Sequence, residues 1–109
     1  MQRFGILTKL KPGMAEQYRR LHDEIWDEVV QAAYEANMRN FTIFQYGEYL
    51  FSYYEYVGKD FELDMRKKNS LPISQKWQEA CKECFEPFEH GSQQILEEIF
   101  HNDFDRSVV

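Results

Sequence analysis

The stretch RNFTIFQYGEYLFSYYEY, residues 39–56, decides the fold of this chain. Residues 39–46 and 49–56 are rich in β-branched and aromatic side chains, a composition that is typical of β-strands. Gly47 and Glu48 lie between them and suit a two-residue hairpin turn with glycine at its first position. The sequence therefore predicts two antiparallel strands joined by a tight turn.

Pairing in this register gives the hairpin two faces, and neither of them is properly polar. One face carries Thr42, Phe44, Tyr46, Tyr49, Phe51 and Tyr53, and the other carries Phe41, Ile43, Gln45, Leu50, Ser52 and Tyr54. A sheet that is covered by helices on one side only should present a polar face to water. A second body is therefore expected on the uncovered face. Another copy of the same sheet is the simplest candidate, and we predict a homodimer.

The segments before the hairpin predict a strand and a helix. Residues 2–10, QRFGILTKL, predict a strand that ends at the turn KPG, residues 11–13. From residue 14 to about residue 36, apolar side chains recur with the helical period, which predicts one long amphipathic helix. Asn37 suits the position that ends this helix.

The segments after the hairpin predict two more helices and a last strand. Residues 59–69 predict a helix with Asp60 as its N-cap. Its inward side chains are expected to be those of Phe61, Met65 and Leu63. Pro72 interrupts the pattern, residues 73–85 predict a third, shorter helix, and a polar loop around residues 90–92 follows. Residues 93–101 predict a strand, with a short helical turn as the alternative. The apolar residues of this strand are Ile95, Leu96, Ile99 and Phe100.

The order of these elements predicts the fold class. One strand, a helix, two strands, a helix with an extra helix, and a last strand describe an α+β ferredoxin-like sandwich. In that fold an antiparallel four-stranded sheet carries helices on one face, and in small dimers the uncovered sheet faces can pack together as a dimeric α+β barrel. The chain has 109 residues, so we expect a single domain, residues 1–109.

Charge and composition exclude several classes of partner. The net charge is −6, the sequence pI is near 5.0, and the basic residues are scattered along the chain. A surface for nucleic acid or for an anionic membrane is therefore not expected. No signal-peptide pattern and no apolar run of membrane length is present in the sequence. We therefore expect a cytoplasmic protein without a nucleic-acid or membrane partner.

Cys81 and Cys84 form an isolated CxxC motif. A zinc site needs about four ligands, and His90 and His101 stand at spacings that fit no common zinc pattern. A redox-active pair of the thioredoxin type should begin a helix after a strand, whereas this pair lies toward the end of a predicted helix. We interpret both residues as ordinary reduced cysteines.

His22 is the candidate for chemistry. It lies four residues after Tyr18 and four before Trp26, inside the apolar arc of the predicted helix, so it is expected to point at the sheet. One interpretation is a core histidine whose nitrogens are satisfied by a tyrosine or a carbonyl group. The other is a general acid and base in a pocket, since imidazole exchanges protons near neutral pH. The facing sheet surface supplies polar groups that could surround a small polyhydroxylated ligand, those of Gln45, Ser52 and Tyr54.

Five segments in order resemble the L-rhamnose mutarotase family. They are KPGMAEQYRRLHDEIWDEV, RNFTIF, YLFSYYEYVGKDFELDM, PISQKW and EEIFH, and together they span most of the chain. Members of this family are small dimeric ferredoxin-like proteins that interconvert the α and β anomers of a 6-deoxyhexose. The resemblance implies an isomerase of the racemase and epimerase class that acts on L-rhamnose or a related 6-deoxyhexose. It implies a monosaccharide as the partner and no metal or organic cofactor.

The resemblance also implies roles for individual residues. His22 would be the catalytic proton donor, Tyr18 would hold the sugar, and Trp77 would be an apolar platform. The family usually has tyrosine where this chain has Phe41, and a Trp-Trp pair where this chain has Trp77 and Gln78. The complete set of expected substrate-binding residues is Tyr18, Trp26, Phe41, Tyr54, Trp77 and Gln78. A non-catalytic sugar-binding or interaction module on the same fold is the alternative, and a cofactor-free oxygenase is a third hypothesis by analogy of fold.

Overall fold

The computed structural model describes residues 1–88, 91 and 93–102. In this part of the chain, four strands and four helices follow one another in the order β, α, α, β, β, α, α, β. Their bounds are β1 Gln2–Lys9, α1 Ala15–Asp23, α2 Asp27–Glu35, β2 Met38–Tyr46, β3 Tyr49–Tyr56, α3 Phe61–Asn69, α4 Pro72–Lys82 and β4 Gln93–Leu96. The polar loop expected around His90 and Ser92 falls on residues outside the described ranges.

The four strands form one antiparallel sheet in the order β2-β3-β1-β4. On one face Leu50 and Tyr54 are buried, and α1 and α4 pack over Leu50 through Tyr18 and Cys81. On the opposite face Phe44 is 65% exposed. The predicted fold class, an α+β ferredoxin-like sandwich with helices on one face, is confirmed.

The hairpin forms as its sequence predicts. Tyr46 pairs with Tyr49 across a turn in which Gly47 has a φ of 59°, a conformation that glycine adopts without steric cost. Phe44 lies opposite Phe51, so the two expected faces of the hairpin are the observed ones. One irregularity, a bulge near Asn40 with a φ of 57°, interrupts the ladder close to the start of β2.

The prediction of one long helix over residues 14–36 is wrong. α1 ends at Asp23, and α2 begins at Asp27, because Trp26 between them has an extended backbone with φ −72° and ψ 136°. The apolar period of the sequence continues through this break, so the sequence pattern does not indicate that the helix is interrupted. Asp27 and Glu28 in the first turn of α2 favour a helix start there, since carboxylates stabilise the positive end of the helix dipole. Trp26 therefore does not share a helix with Tyr18.

The two following helices agree with the sequence in most details. The Asp60 side chain accepts a hydrogen bond from the Leu63 backbone amide at 3.1 Å, which confirms it as the N-cap of α3. Phe61 and Met65 are partly buried as expected, but Leu63 is exposed. α4 begins at Pro72 itself, because proline is well tolerated in the first turn of a helix.

The last strand is shorter than expected. β4 contains only residues 93–96 and pairs with the middle of β1. Ile99 is 92% exposed and Phe100 is 77% exposed, so neither packs against the sheet of its own chain. The prediction of a strand as far as residue 101 is therefore wrong for its second half.

Both cysteines belong to the core. Cys84 is fully buried, Cys81 is nearly so, and both are free thiols that pack with Leu10 and Tyr18. Burial raises the pKa of the Cys81 thiol to about 12, which keeps it protonated and unreactive. Their burial and their free thiols agree with the interpretation as ordinary reduced cysteines.

A polar network joins the end of α2 to β3 and α3. Asp64 accepts hydrogen bonds from the buried Tyr56 hydroxyl and, at 3.0 Å, from Asn37 Nδ2. These two bonds, led by that from Tyr56, hold the pKa of the Asp64 carboxyl below its ordinary value. The Tyr56 hydroxyl also accepts from the Asp60 backbone amide at 2.9 Å. Gly58 lies against this network without room for a side chain.

We expect Gly58→Ala to lower the free energy of unfolding by about 1–3 kcal/mol, the usual range for overpacking. The added methyl group would lie 2.6 Å from Tyr56 Cζ and 2.7 Å from Asn37 Nδ2, and the buried Tyr56 ring cannot move aside. Urea unfolding followed by fluorescence measures the change. Gly5→Ala is the matched control, since its methyl group would meet Leu96 only at 3.7 Å, an ordinary contact. Equal stability of the two variants would contradict the expectation.

Candidate active site

Tyr18 and His22 stack on one side of α1, one helical turn apart. Their ring centroids are 4.3 Å apart. The Tyr18 ring is buried, and this burial raises the pKa of its hydroxyl above the ordinary value, with the Cys81 and Cys84 thiols adding to the shift. The phenol therefore stays protonated near neutral pH and can donate a hydrogen bond to a ligand.

One nitrogen of His22 is held by the backbone of α1. Nδ1 lies 3.0 Å from the Tyr18 carbonyl oxygen. Because a carbonyl oxygen can only accept a hydrogen bond, Nδ1 must carry the proton and donate it. The neutral ring then has its lone pair on Nε2, and every gain or loss of a proton takes place at Nε2. A carbonyl group therefore satisfies one of the two nitrogens of His22, as the first interpretation of this residue expects.

Trp77 of α4 connects His22 to Trp26. The ring centroids of His22 and Trp77 are 5.1 Å apart, and those of Trp26 and Trp77 are 5.4 Å apart, both edge to face. We call Tyr18, His22, Trp26 and Trp77 the histidine cluster. Trp26 therefore belongs to the same group of rings as His22, as predicted. It does so because it contacts Trp77 of α4, and not because it lies one turn after His22 on the same helix. His22 and Trp77 are both partly buried, so the cluster is accessible from solvent.

A second group of rings lies on the same face of the sheet. Tyr54 stacks between Phe4 at 4.9 Å and Phe41 at 6.0 Å, and Phe4 stacks on Phe61 at 4.7 Å. We call these four residues the tyrosine stack. Burial raises the pKa of Tyr54, whereas Phe41 at the outer end is 51% exposed. Sequence reasoning missed Phe4 and Phe61, whose contacts depend on the pairing of Phe4 with Tyr54 across β1 and β3.

The sheet surface between these two groups is partly accessible. Along β3, Leu50 packs under Tyr18, while Tyr54 belongs to the tyrosine stack, and Ser52 lies between them. Residues two apart on a strand are separated by about 6.6 Å. Ser52 and its β2 neighbour Ile43 face the helices, yet both remain partly accessible. We call this surface the cleft.

Two of the expected polar residues have other partners. Gln78 is exposed, and its Nε2 donates a hydrogen bond to Asn69 Oδ1 at 3.0 Å. Gln45 is exposed, and its Nε2 donates to the Gly47 carbonyl oxygen at 2.9 Å. Gln78 is thus bound between α4 and the end of α3, and Gln45 is bound at the hairpin turn. Neither side chain belongs to the histidine cluster or to the tyrosine stack.

Two surface pockets lie away from the cleft. One of about 180 Å³ lies on the uncovered side of the sheet and is lined by Arg3, Phe4, Gly5, Tyr53, Leu96, Glu97 and Glu98. The other, of about 400 Å³, lies between α2 and α4 and is lined by Glu28, Gln31, Ala32, Glu35, Leu71, Pro72 and Ile73. Neither of these two pockets is bordered by His22. Within the described residues, no group of three or more His, Cys, Asp or Glu side chains could hold a metal ion.

Comparisons of the sequence with known proteins agree on one family. The family model for L-rhamnose mutarotase matches residues 3–102. The L-rhamnose mutarotase of Paraburkholderia phytofirmans is 30% identical over 105 residues, which cover 93% of this chain and 95% of that protein. That of Sinorhizobium fredii is 33% identical over 84 residues, 71% of this chain and 73% of that protein. The crystal structure of the L-rhamnose mutarotase FA22100 from Formosa agariphila superposes with a TM-score of 0.77 at 21% identity, over 94% of this chain and 100% of that chain.

Proposed function

Since the chain belongs to the L-rhamnose mutarotase family, we propose that it is an isomerase that interconverts the α and β anomers of L-rhamnose or a related 6-deoxyhexose. The observation that carries this proposal is the arrangement of His22. Its ring is fixed through Nδ1 by the Tyr18 carbonyl oxygen, packed against Trp77, and free at Nε2 within the described residues. A general acid and base must be positioned in this way to act on a bound substrate.

The reaction opens and recloses a hemiacetal ring. As the bond between C1 and the ring oxygen breaks, its electron pair stays on the ring oxygen, which takes a proton from Nε2 of the doubly protonated, cationic His22 ring. The anomeric hydroxyl loses its proton to a water or hydroxyl relay, and its O–H electron pair forms the aldehyde double bond. After rotation about the C1–C2 bond, the reverse steps close the ring on the other face of the aldehyde. His22 serves both directions, since it recovers at Nε2 the proton that it gave.

Other residues of the two ring groups would bind the sugar. Tyr18 would hold it through its hydroxyl, for which the described residues provide no hydrogen-bond partner. Trp77 would present an apolar surface to the sugar, with Trp26 supporting the Trp77 ring from its edge. Tyr54 and Phe41 would border the cleft on the opposite side.

We expect catalytic amounts of the protein to accelerate exchange between the anomers of equilibrated L-rhamnose. Saturation-transfer NMR detects this directly, because irradiation of one anomeric proton then weakens the signal of the other. L-fucose and D-galactose in parallel samples test which sugar is preferred. Absence of acceleration for all three sugars would contradict the proposal. A thermal shift with one of them but no exchange would instead identify a non-catalytic sugar-binding module.

We further propose that two chains form a homodimer through the uncovered face of the sheet. Phe44 and its cross-strand partner Phe51 are 65% and 41% exposed, and Tyr46 and its partner Tyr49 are 80% and 40% exposed. Such a continuous aromatic patch is unusual on a monomeric protein and is typical of an interaction surface. A second copy matches it by symmetry, because each sheet presents the same patch to the other.

We also propose that the protein works in the cytoplasm. Two free cysteines in its core suit a compartment that keeps thiols reduced. No helix among the described residues is long and apolar enough to cross a membrane.

A further inference from the structure

Ser52 has an unusual position for a small polar residue. It lies in the middle of β3, between Ile6 of β1 and Ile43 of β2, on the face that the helices cover. Apolar side chains therefore flank it on both sides. A hydroxyl group that was fully buried at such a position without a partner would be costly, and an apolar side chain would pack equally well.

The Ser52 hydroxyl is open to the cleft. Within the described part of the chain it has no hydrogen-bond partner, while no buried side-chain nitrogen or oxygen lacks one. The hydroxyl oxygen must therefore keep some accessible surface. Ser52 is partly exposed, which agrees with this conclusion.

We propose that Ser52 is a specificity-determining residue that binds one hydroxyl group of the sugar through a hydrogen bond. This inference rests on the proposed function. Ser52 lies midway along β3 between Leu50, which packs under Tyr18, and Tyr54, which belongs to the tyrosine stack. A sugar ring in the cleft would have the histidine cluster at one end, the tyrosine stack at the other, and Ser52 beneath it.

The chemistry of the surrounding side chains supports this assignment. Phe41 has no hydroxyl group, so polar contacts from this wall of the cleft would come from β3, through Ser52 and Tyr54. A site with a mostly apolar lining and a few placed polar groups is typical of small-molecule recognition. A site that hydrogen-bonds a substrate hydroxyl discriminates strongly against an analogue without it, because the protein group is then left unpaired.

The test compares Ser52→Ala with the unmodified protein on L-rhamnose and on its 2-deoxy, 3-deoxy and 4-deoxy analogues. On L-rhamnose we expect Ser52→Ala to raise KM about three- to tenfold, the effect of one neutral hydrogen bond, with kcat changed less than twofold. For the analogue that lacks the hydroxyl bound by Ser52, both proteins should have the same KM. Ser52→Thr, which keeps a hydroxyl, should recover much of the affinity. An unchanged KM of Ser52→Ala for all four sugars would overturn the proposal.

Thr42→Val is the matched control. Thr42 lies on the opposite face of the sheet and its hydroxyl already donates to the Asn40 carbonyl oxygen at 2.9 Å, so removal of this hydroxyl should leave KM unchanged. If the unmodified protein binds L-rhamnose without exchanging its anomers, the proposed function fails, and the same comparison made on Kd by calorimetry still decides the role of Ser52. If it neither binds nor exchanges any of these sugars, both proposals are overturned.

Discussion

His22→Ala is expected to lower the catalysed rate of anomeric exchange by about 100- to 10,000-fold, the contribution that a positioned general acid or base usually makes. The variant keeps Tyr18 and Trp77 but loses the imidazole that is the proposed proton donor. The loss should therefore fall mainly on kcat. Saturation-transfer NMR at several sugar concentrations separates kcat from KM.

Two further variants make this experiment specific. His22→Gln keeps a polar side chain of similar length but cannot transfer a proton, so its rate should be as low as that of alanine. His101 is exposed beyond β4, and His101→Ala should keep the full rate. Thermal unfolding of all three variants shows whether the fold is retained. A full rate in His22→Ala would show that the proton donor has been assigned wrongly.

The hairpin and the fold class could be predicted because their signals are local. Strand composition, the glycine of the turn and the two-residue period act within residues 39–56, and the observed pairing of Phe44 with Phe51 follows from them. The Asp60 cap is local in the same sense, since its side chain binds an amide three residues away.

The helix break and the short last strand could not be predicted, because both depend on distant parts of the molecule. Trp26 leaves the helical path and contacts Trp77, about fifty residues later in the chain, while the apolar period continues through the break. Ile99 and Phe100 have the composition of a strand, but β4 has already left the ladder with β1 at Leu96. In both cases the structure depends on the contacts that the fold makes available, and not on the secondary-structure preference of the local sequence.

The candidate site also has one part that the sequence predicts and another part that it does not predict. The stacking of Tyr18 on His22 follows from their spacing of four residues, and it is observed. The partial exposure of Ser52 between the two ring groups does not follow from any local pattern, because it depends on which helices cover which strands. The amide of Gln78 is bound to Asn69, a contact between α3 and α4 that depends on how these helices pack.

Phe44→Glu is expected to convert the proposed homodimer into a monomer. Phe44 belongs to the exposed aromatic patch and lies on the edge strand β2, and a symmetric interface would bury two of the new carboxylates at once. Burying an unpaired charge costs several kcal/mol, which exceeds what most single contacts contribute. Sedimentation velocity at micromolar concentration should give about twice the 13.2 kDa chain mass for the unmodified protein and the single chain mass for the variant.

Val30→Glu is the matched control, because Val30 is 51% exposed on α2, on the side of the sheet that the helices cover. It should remain a dimer. A monomeric unmodified protein, or a dimeric Phe44→Glu, would contradict the proposed interface. The monomeric variant also tests whether the site is complete in one chain. The cleft and the patch lie on opposite faces of the sheet. All residues of both ring groups come from a single chain. We therefore expect it to retain anomeric exchange, since the loss of the interface leaves His22 and its supports in place.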